Sequence, residues 1–596
     1  MNSKKIILLG LLAVSFTAIL AISYAQAQTS GNSNNTVSSS LVPSNASNNS
    51  IIHSVNVIPY HPRDPVAYAA EKKQLDTATL SWVKTQSSAQ KRGLFNAILS
   101  PVNIIGSGFN GLDYTQCNCE PPDVQVAIGP GNVFEMVNVE GQTYDRQGNL
   151  NQTISLYTLF HFSTAHLLSD PKILFDSQSG RWFASALDVS INAVGIAVSK
   201  TSDPSVNNWY VDQESYGSEC PDQPKIGVSD DKFVVSSNDF SNHCGAFNNG
   251  TSSNDGAEYR VFNKSSMLSG TFSVYKNGPN VSDFAVTPIQ SMSSTTTLYM
   301  VSDGAVSSTK QIRVFSITGQ VPSISINTNT VTLNTNILTP ADALQPVTST
   351  ILDTGDTRID NAVWNHGKLW FGLTDGCTPT GDTIQRSCAR LIQINTNTTS
   401  VIQDFDINAS ATYYYYPALQ FDGFGGIGTV IGMSNSTIYP SLKVTGQAAQ
   451  DPAKTFKQLL YLKAGSNYYD TTPYGQDGDV RYGDYFGAAL DPSNNTRVWL
   501  AGEYITNAPS HNNNPTWSTF IGSITFDCVP PPTGDWTITA SCTLGGNATA
   551  HANVIVQNNA LLTIPNKQTL NIDFTHNHLL VKSGSGVFIA AGGKIS

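Results

Sequence analysis

The chain of 596 residues has a formal net charge of −11, and only 13% of its residues are charged. The acidic balance and the scarcity of basic clusters exclude a phosphate-tracking nucleic-acid surface. Abundant Ser, Thr, Asn and Gly fit an all-β extracellular protein with a hydroxyl- and amide-rich surface.

In chain order, Met1-Asn-Ser-Lys-Lys, the apolar run from Ile6 to about Tyr24, and Ala25-Gln26-Ala27 form the three parts of a secretory signal peptide, with cleavage expected after Ala27. The apolar run also approaches the roughly 20 residues that span a bilayer, so an uncleaved anchor is the competing reading. Removal of Lys4 and Lys5 takes the net charge to −13, and after cleavage no membrane span is expected. Residues 28–60 read as a Ser/Asn-rich disordered spacer. Asn-x-Ser/Thr sequons recur along the chain, among them those starting at Asn151, Asn263, Asn397 and Asn494, as expected of a glycoprotein. Residues 61–100 are a helical lead-in, with Ala69, Ala70, Leu75, Leu80 and Val83 as its periodic apolar positions.

Eight cysteines fall into near neighbours: Cys117 with Cys119, Cys220 with Cys244, Cys377 with Cys388, and Cys528 with Cys542. An even number behind a signal peptide points to disulfides, here as local staples. The Cys-x-Cys ring is short and strained, which leaves either sulfur open to another partner.

Residues 101–527 repeat a loose unit: a Pro or Asp, an alternating apolar strand, a Gly/Asp/Asn turn, and a second strand rich in aromatic and β-branched residues. Copies begin at Pro122, Asp170, Pro224, Ser282, Gly355, Tyr416 and Gly478. Sheets that cannot bury both faces alone pack around an axis, so seven copies predict a seven-bladed β-propeller. The last copy has three good strands, and Val102 to Ile105 is expected to supply the fourth and close the ring. A Pro-rich linker at 528–534 precedes residues 535–596, whose short, evenly spaced apolar strands predict a β-solenoid stub with an uncapped last coil. The fold class is therefore all-β: a seven-bladed β-propeller followed by a short C-terminal β-solenoid, with one N-terminal helix.

Gly111-Leu-Asp113, Pro121-Pro-Asp-Val-Gln-Val-Ala-Ile-Gly129, Pro224-Lys-Ile-Gly227, Gly355-Asp-Thr-Arg358 and Arg481-Tyr-Gly-Asp-Tyr485 carry a resemblance to a β-propeller family of secreted bacterial and archaeal proteins whose activity is unsettled. That resemblance implies fold and export rather than chemistry. Gly534-Asp-Trp-Thr-Ile538 and Gly592-Gly-Lys-Ile-Ser596 resemble a C-terminal module of exported archaeal proteins, which implies a cell-surface setting. Asp176-Ser-Gln-Ser-Gly180 with Trp182, and Ser202-Asp-Pro-Ser205 with Trp209, imperfectly resemble the Asp-box turns of sialidases, which are structural.

A glycosidase needs two carboxylates, or a tyrosine with a base, facing one sugar, and sialidases add arginines that grip the substrate carboxylate. The nearest constellation is a repeated Gly-Asp-x-Arg, at Asp356/Arg358 and Asp479/Arg481, expected to open innermost strands and to form an axial polar rim with Asp123, Asp484 and Tyr485. Alternatively, each Asp and Arg pair inside the ring. Asp353 to Asp360 and Asp477 to Asp484 also supply hard oxygen ligands for calcium, with ordinary turn chemistry as the plainer explanation. Tyr415 and Tyr416, with Tyr413, Tyr414, Tyr468, Tyr469 and Tyr474, suggest a tyrosine-lined face for sugars or proteins, or else packing between blades. His576-Asn-His578 lacks a third ligand for a metal site. No Gly-x-Ser-x-Gly elbow, phosphate loop or dinucleotide fingerprint appears.

The leading expectation is an exported cell-surface or secreted protein that binds glycan or protein through a propeller face, with the tail serving attachment or assembly. A glycan-active hydrolase or lyase built on the axial rim, and a structural envelope component, are the alternatives.

Overall fold

The computed structural model describes residues 56–57, 61–85, 102–241, 253–306, 308–449, 451–470, 480–511, 514–528, 530, 533–538, 542–544 and 547–596. The expected signal peptide and most of the spacer lie outside these residues. No helix among the described residues is long and apolar enough to cross a membrane.

The body is an all-β propeller. Four of its sheets are separate four-stranded antiparallel meanders, which start at the strands Gln125–Ile128, Leu168–Asp176, Thr287–Pro288 and Tyr413–Phe421. Two further meanders, starting at Cys220–Val228 and Asn361–Asn365, share a single nine-stranded sheet. The strand Gln290–Ser291 joins them, running parallel to Val228 on one side and to Val363 and Trp364 on the other. The ladders thus do not divide into seven separate four-stranded sheets. The innermost strand of the Thr287 meander changes partners after two residues and bonds its neighbours around the axis. Gly227 permits this approach, since a Cβ there would lie 2.4 Å from the Ile289 backbone nitrogen.

The ring closes between its two ends. Asn103–Ile104 and Phe109–Asp113 both pair antiparallel with Asn514–Thr525, the last strand of the Gly487–Leu490 meander. The closing segment is longer than the sequence suggested, and it covers the outer edge of Asn514–Thr525. Buried aromatic and β-branched side chains fill the spaces between sheets, with Trp182, Trp370 and Trp517 among the largest fully buried.

The Cys117–Cys119 and Cys377–Cys388 disulfides form as expected. Asn118 adopts φ 49° between the first pair, which lets so short a ring close with a Cα–Cα distance of 5.1 Å. Cys220 and Cys542 are disulfide-bonded as well, while Cys244 and the Cys528 side chain lie outside the described residues.

The N-terminal helix spans Pro65–Thr85, capped by Asp64, whose carboxylate accepts the Ala67 amide at 3.0 Å. Its inward face is mixed: Leu75 and Leu80, two of the expected apolar positions, are partly buried and pack with Trp82 against the propeller core. Lys72, Asp76 and Thr79 are buried at helical spacing, whereas Val66 and Val83 are 69% and 41% exposed. Polar contacts thus join the expected apolar ones in docking the helix, and of the large apolar positions expected to face inward Val83 is the one left exposed.

At the other terminus, three parallel sheets form a solenoid-like stack. One of them begins at Asp527–Cys528, so the stack continues directly from the propeller's last strand, ahead of the expected boundary at 535. Three cross-coil hydrogen bonds each span 25 residues, which sets the length of the last coil. Val554, Val556, Leu562, Ile564, Leu570 and Ile572 form its core, while Leu580, Val581, Phe588 and Ile589 are exposed on the final coil.

Candidate functional site

The innermost strands are entered through a recurring backbone feature. Asp123, Asp170, Gln223, Tyr416 and Asp484 all have φ between 48° and 60°, just before an innermost strand or within its first half. At three of these places the ladder skips a residue, at Asp170, after Asp222 and after Tyr415. A bulge with one left-handed residue turns its side chain off the ladder, and its repetition around the ring collects polar groups at one end of the axis. Neighbouring sheets lock the feature in place: Asn138 accepts the Asp170 amide at 2.7 Å, and Thr374 accepts the Tyr416 amide at 3.0 Å.

The structure brings most of the candidate residues into this cluster. Arg358 is 3% exposed and donates to both carboxylate oxygens of Asp356 at 2.8 Å, to Gln223 at 2.6 Å and to the His61 carbonyl at 3.1 Å. Arg481, 4% exposed, pairs with Asp484 and lies 3.6 Å from Asp353. The Tyr485 hydroxyl donates to Asp170 at 2.8 Å and lies 3.5 Å from Asp123. Tyr415 and Tyr416 are buried, as are Tyr413, Tyr414, Tyr469 and Tyr482, so these rings pack between sheets and form no exposed aromatic face. Asp479 and Tyr474 lie outside the described residues.

The chain itself covers this end of the axis. Lys72 of the helix reaches in to pair with Asp342 and lies 3.8 Å from Asp353, the carboxylate that also faces Arg481. His61 meets Asp222 at 3.0 Å, and Arg386 stacks 4.1 Å from the Trp82 ring centre. The axial rim expected from the sequence is therefore an interior ionic network roofed by residues 61–85.

Burial sets the protonation of this network. It pushes Asp123 well above the ordinary carboxylate range, helped by the charges of Asp484 and Asp170, and it raises Asp484 to about 7 against the opposing pull of Arg481. Tyr485 is raised well above its usual value by burial and by Asp123 and Asp170. A nucleophilic tyrosine needs its phenolate made accessible. This environment holds the phenol protonated and donating to Asp170, the opposite arrangement.

Sequence reasoning missed the channel below the cluster. A cavity of about 70 Å³ is lined by residues of every innermost strand, including Gln125, Lys172, Lys225, Gln290, Asp360 and Gln420. Lys225 is paired with Asp360 at 3.0 Å and donates to the Ile359 carbonyl at 2.7 Å. Lys172 lies over the Tyr485 ring, and burial lowers it to about 7. The signal was present, because Pro171-Lys172 and Pro224-Lys225 place a lysine at the same point of two copies of the repeat.

Among the described residues, no three His, Cys, Asp or Glu side chains are grouped so as to hold a metal ion. In the Asp353 to Asp360 turn, Asp353 accepts the Gly355 amide and Asp356 that of Arg358, which is ordinary turn chemistry. His576 bonds Asp573 at 2.7 Å in an exposed turn of the tail. The Asp-box-like segment folds as a hairpin turn, with Asp176 accepting from Ser179 and pairing with Lys264, and with Trp182 buried beneath it. Asp422 holds an equivalent turn through the amides of Phe424 and Gly426.

No family model matches the chain, and no curated protein matches it. Among solved structures it is similar to Trypanosoma rangeli sialidase, at 6% identity and a TM-score of 0.30, over 67% of this chain and 57% of that one. It is similar also to a quinonprotein alcohol dehydrogenase-like protein of Bacteroides thetaiotaomicron, at 8% identity and a TM-score of 0.31, over 57% of this chain and 68% of that one. A hypothetical protein from Leishmania major matches at 8% identity and a TM-score of 0.25, over 52% of this chain and 86% of that one. The chain thus spans a little over half of the sialidase's length. No residue's role is carried over from these distant likenesses.

Proposed function

We propose that the protein is an exported, surface-exposed or secreted binding protein, whose propeller presents glycan- or protein-recognising surfaces and catalyses no reaction at its axis. One observation carries this reading. The Asp/Arg/Tyr cluster that offers the best catalytic chemistry is buried beneath the chain's own helix, with Arg358 and Arg481 already paired to carboxylates. A guanidinium committed to an internal carboxylate is not free to grip a substrate's. Taking the nine-stranded sheet as two meanders joined by Gln290–Ser291, and the seam as one closed meander, gives a seven-repeat ring in which the cluster is the keystone of the axis. The solenoid-like tail, with apolar side chains exposed on its last coil, fits a role in attachment or assembly.

The test is a broad glycan array probed with the mature chain beginning at residue 28, with mass spectrometry of every hit for released product. Binding without product is the expected result. Release of product from any bound glycan would overturn the noncatalytic reading.

A further inference from the structure

We propose that a groove between two neighbouring sheets, walled by Tyr299, Ser316, Thr318, Asn329, Thr396 and Thr399, is a binding site for a single neutral sugar residue. The inference rests on the recognition reading above and gives it a location and a ligand class.

The groove follows from strand geometry. Val314, Ser316 and Thr318 alternate along the strand Thr309–Gln320 and so share one face. Tyr299 lies directly across the ladder from Ser316, and Asn329 across from Val314. The opposite wall is Ile394 with Thr396 and Thr399, from the end of the strand Arg386–Asn395 and the turn after it. Together they enclose a cavity of about 170 Å³. A groove of this size suits one sugar ring rather than a chain.

The lining decides the chemistry. Tyr299 is stacked on Trp364, with ring centres 5.5 Å apart and planes 24° from parallel. Trp364 is pinned in turn by its indole N–H, which donates to Thr396 at 3.0 Å. The result is a fixed aromatic wall of the kind that takes the C–H face of a pyranose. The hydroxyls of Ser316 and Thr318 have only long contacts, 3.4 and 3.5 Å, to backbone carbonyls of the adjacent strand, which leaves them free to turn toward ligand hydroxyls. No lining residue carries a charge. An acidic sugar would bring a carboxylate with no cation to meet it, whereas a neutral one offers hydroxyls to a lining of hydroxyls and an amide. Because Tyr299, Ser316, Thr318 and Asn329 stand on strands, that side of the groove is set before a ligand arrives.

The experiment compares the full mature chain with its Tyr299→Ala, Tyr299→Phe and Thr318→Val variants on an array of galactose-, mannose- and N-acetylglucosamine-terminated oligosaccharides, together with sialic acid- and glucuronate-terminated ones. The expected result is binding confined to neutral termini, weakened at least tenfold by Tyr299→Ala, weakened less by Thr318→Val, and retained by Tyr299→Phe. Neutral binding that Tyr299→Ala leaves unchanged would overturn this site while leaving glycan recognition standing elsewhere on the propeller. Preference for acidic termini would overturn the ligand class, and no binding to any glycan would overturn both the site and the glycan-recognition reading beneath it.

Discussion

The axial cluster and the hydroxyl groove are both polar sites on strands of the same ring, and they use polarity in opposite ways. At the axis, Asp356, Arg358, Arg481 and Asp484 are buried with each arginine paired to a carboxylate, and Lys72 of the N-terminal helix joins the network. In the groove the side chains are neutral, and the hydroxyls of Ser316 and Thr318 are held by long contacts only. Buried charge in a repeat protein is not by itself a sign of chemistry. Ions packed against ions fix the register of the innermost strands, whereas a ligand needs groups that still have bonds to give.

The largest effects are expected at the axis. Arg481→Ala or Arg358→Ala strands buried carboxylates, at a cost of about 3–5 kcal/mol. Scanning calorimetry should show a clearly lowered unfolding temperature for each variant. An unchanged temperature would mean that the pairs are not structural and would break the comparison.

A pH dependence should follow from the buried carboxyls. Burial raises Glu135 and Asp303 to about 7, against roughly 4 in an unfolded chain. Their contribution is present in full below about pH 4 and is lost as pH rises through about 7. Lys172, lowered to about 7, acts only above that point, where stability recovers as its unfolded-state counterpart deprotonates near pH 10. The unfolding temperature should therefore be higher at pH 5 than at pH 7, and a rise over that interval would contradict the assignment.

A smaller and local effect is expected from Lys72→Met. Since the inward face of Pro65–Thr85 is partly polar, losing the contacts to Asp342 and Asp353 should speed amide exchange in the helix well before the ring is affected. Equal exchange in both chains would show that the helix is held by something other than its ion pairs. The smallest effect on stability belongs to Tyr299→Ala, a half-buried wall residue whose loss should be read in binding and hardly in unfolding.

Much of the architecture was legible in the sequence because it depends on local pattern. Period-two alternation between turn residues marked the strands, and the excess of one early strand over a three-stranded last unit marked the seam. The sharing of one sheet by two units was not legible, since it depends on Gln290–Ser291 changing partners across space. The Gly-Asp-x-Arg repeat did mark the axis. Its burial depended on residues 61–85, where Leu75 and Leu80 marked the docking face but the part played by Lys72 and Thr79 was not legible, because they make their contacts with residues more than two hundred positions away. The groove left no sequence signal: Tyr299 and Thr318 belong to different strands and Thr396 to a turn, and all three look like ordinary surface residues of a Thr-rich chain.

The most direct measurement is a paired one, unfolding temperature and glycan binding for Arg481→Ala and Tyr299→Ala side by side. The axial variant is expected to melt earlier yet bind normally at temperatures where it remains folded, while the groove variant melts like the parent and fails to bind. If Arg481→Ala instead leaves the fold intact and abolishes binding or turnover, the axis is the functional site and the distinction drawn between the two regions is wrong.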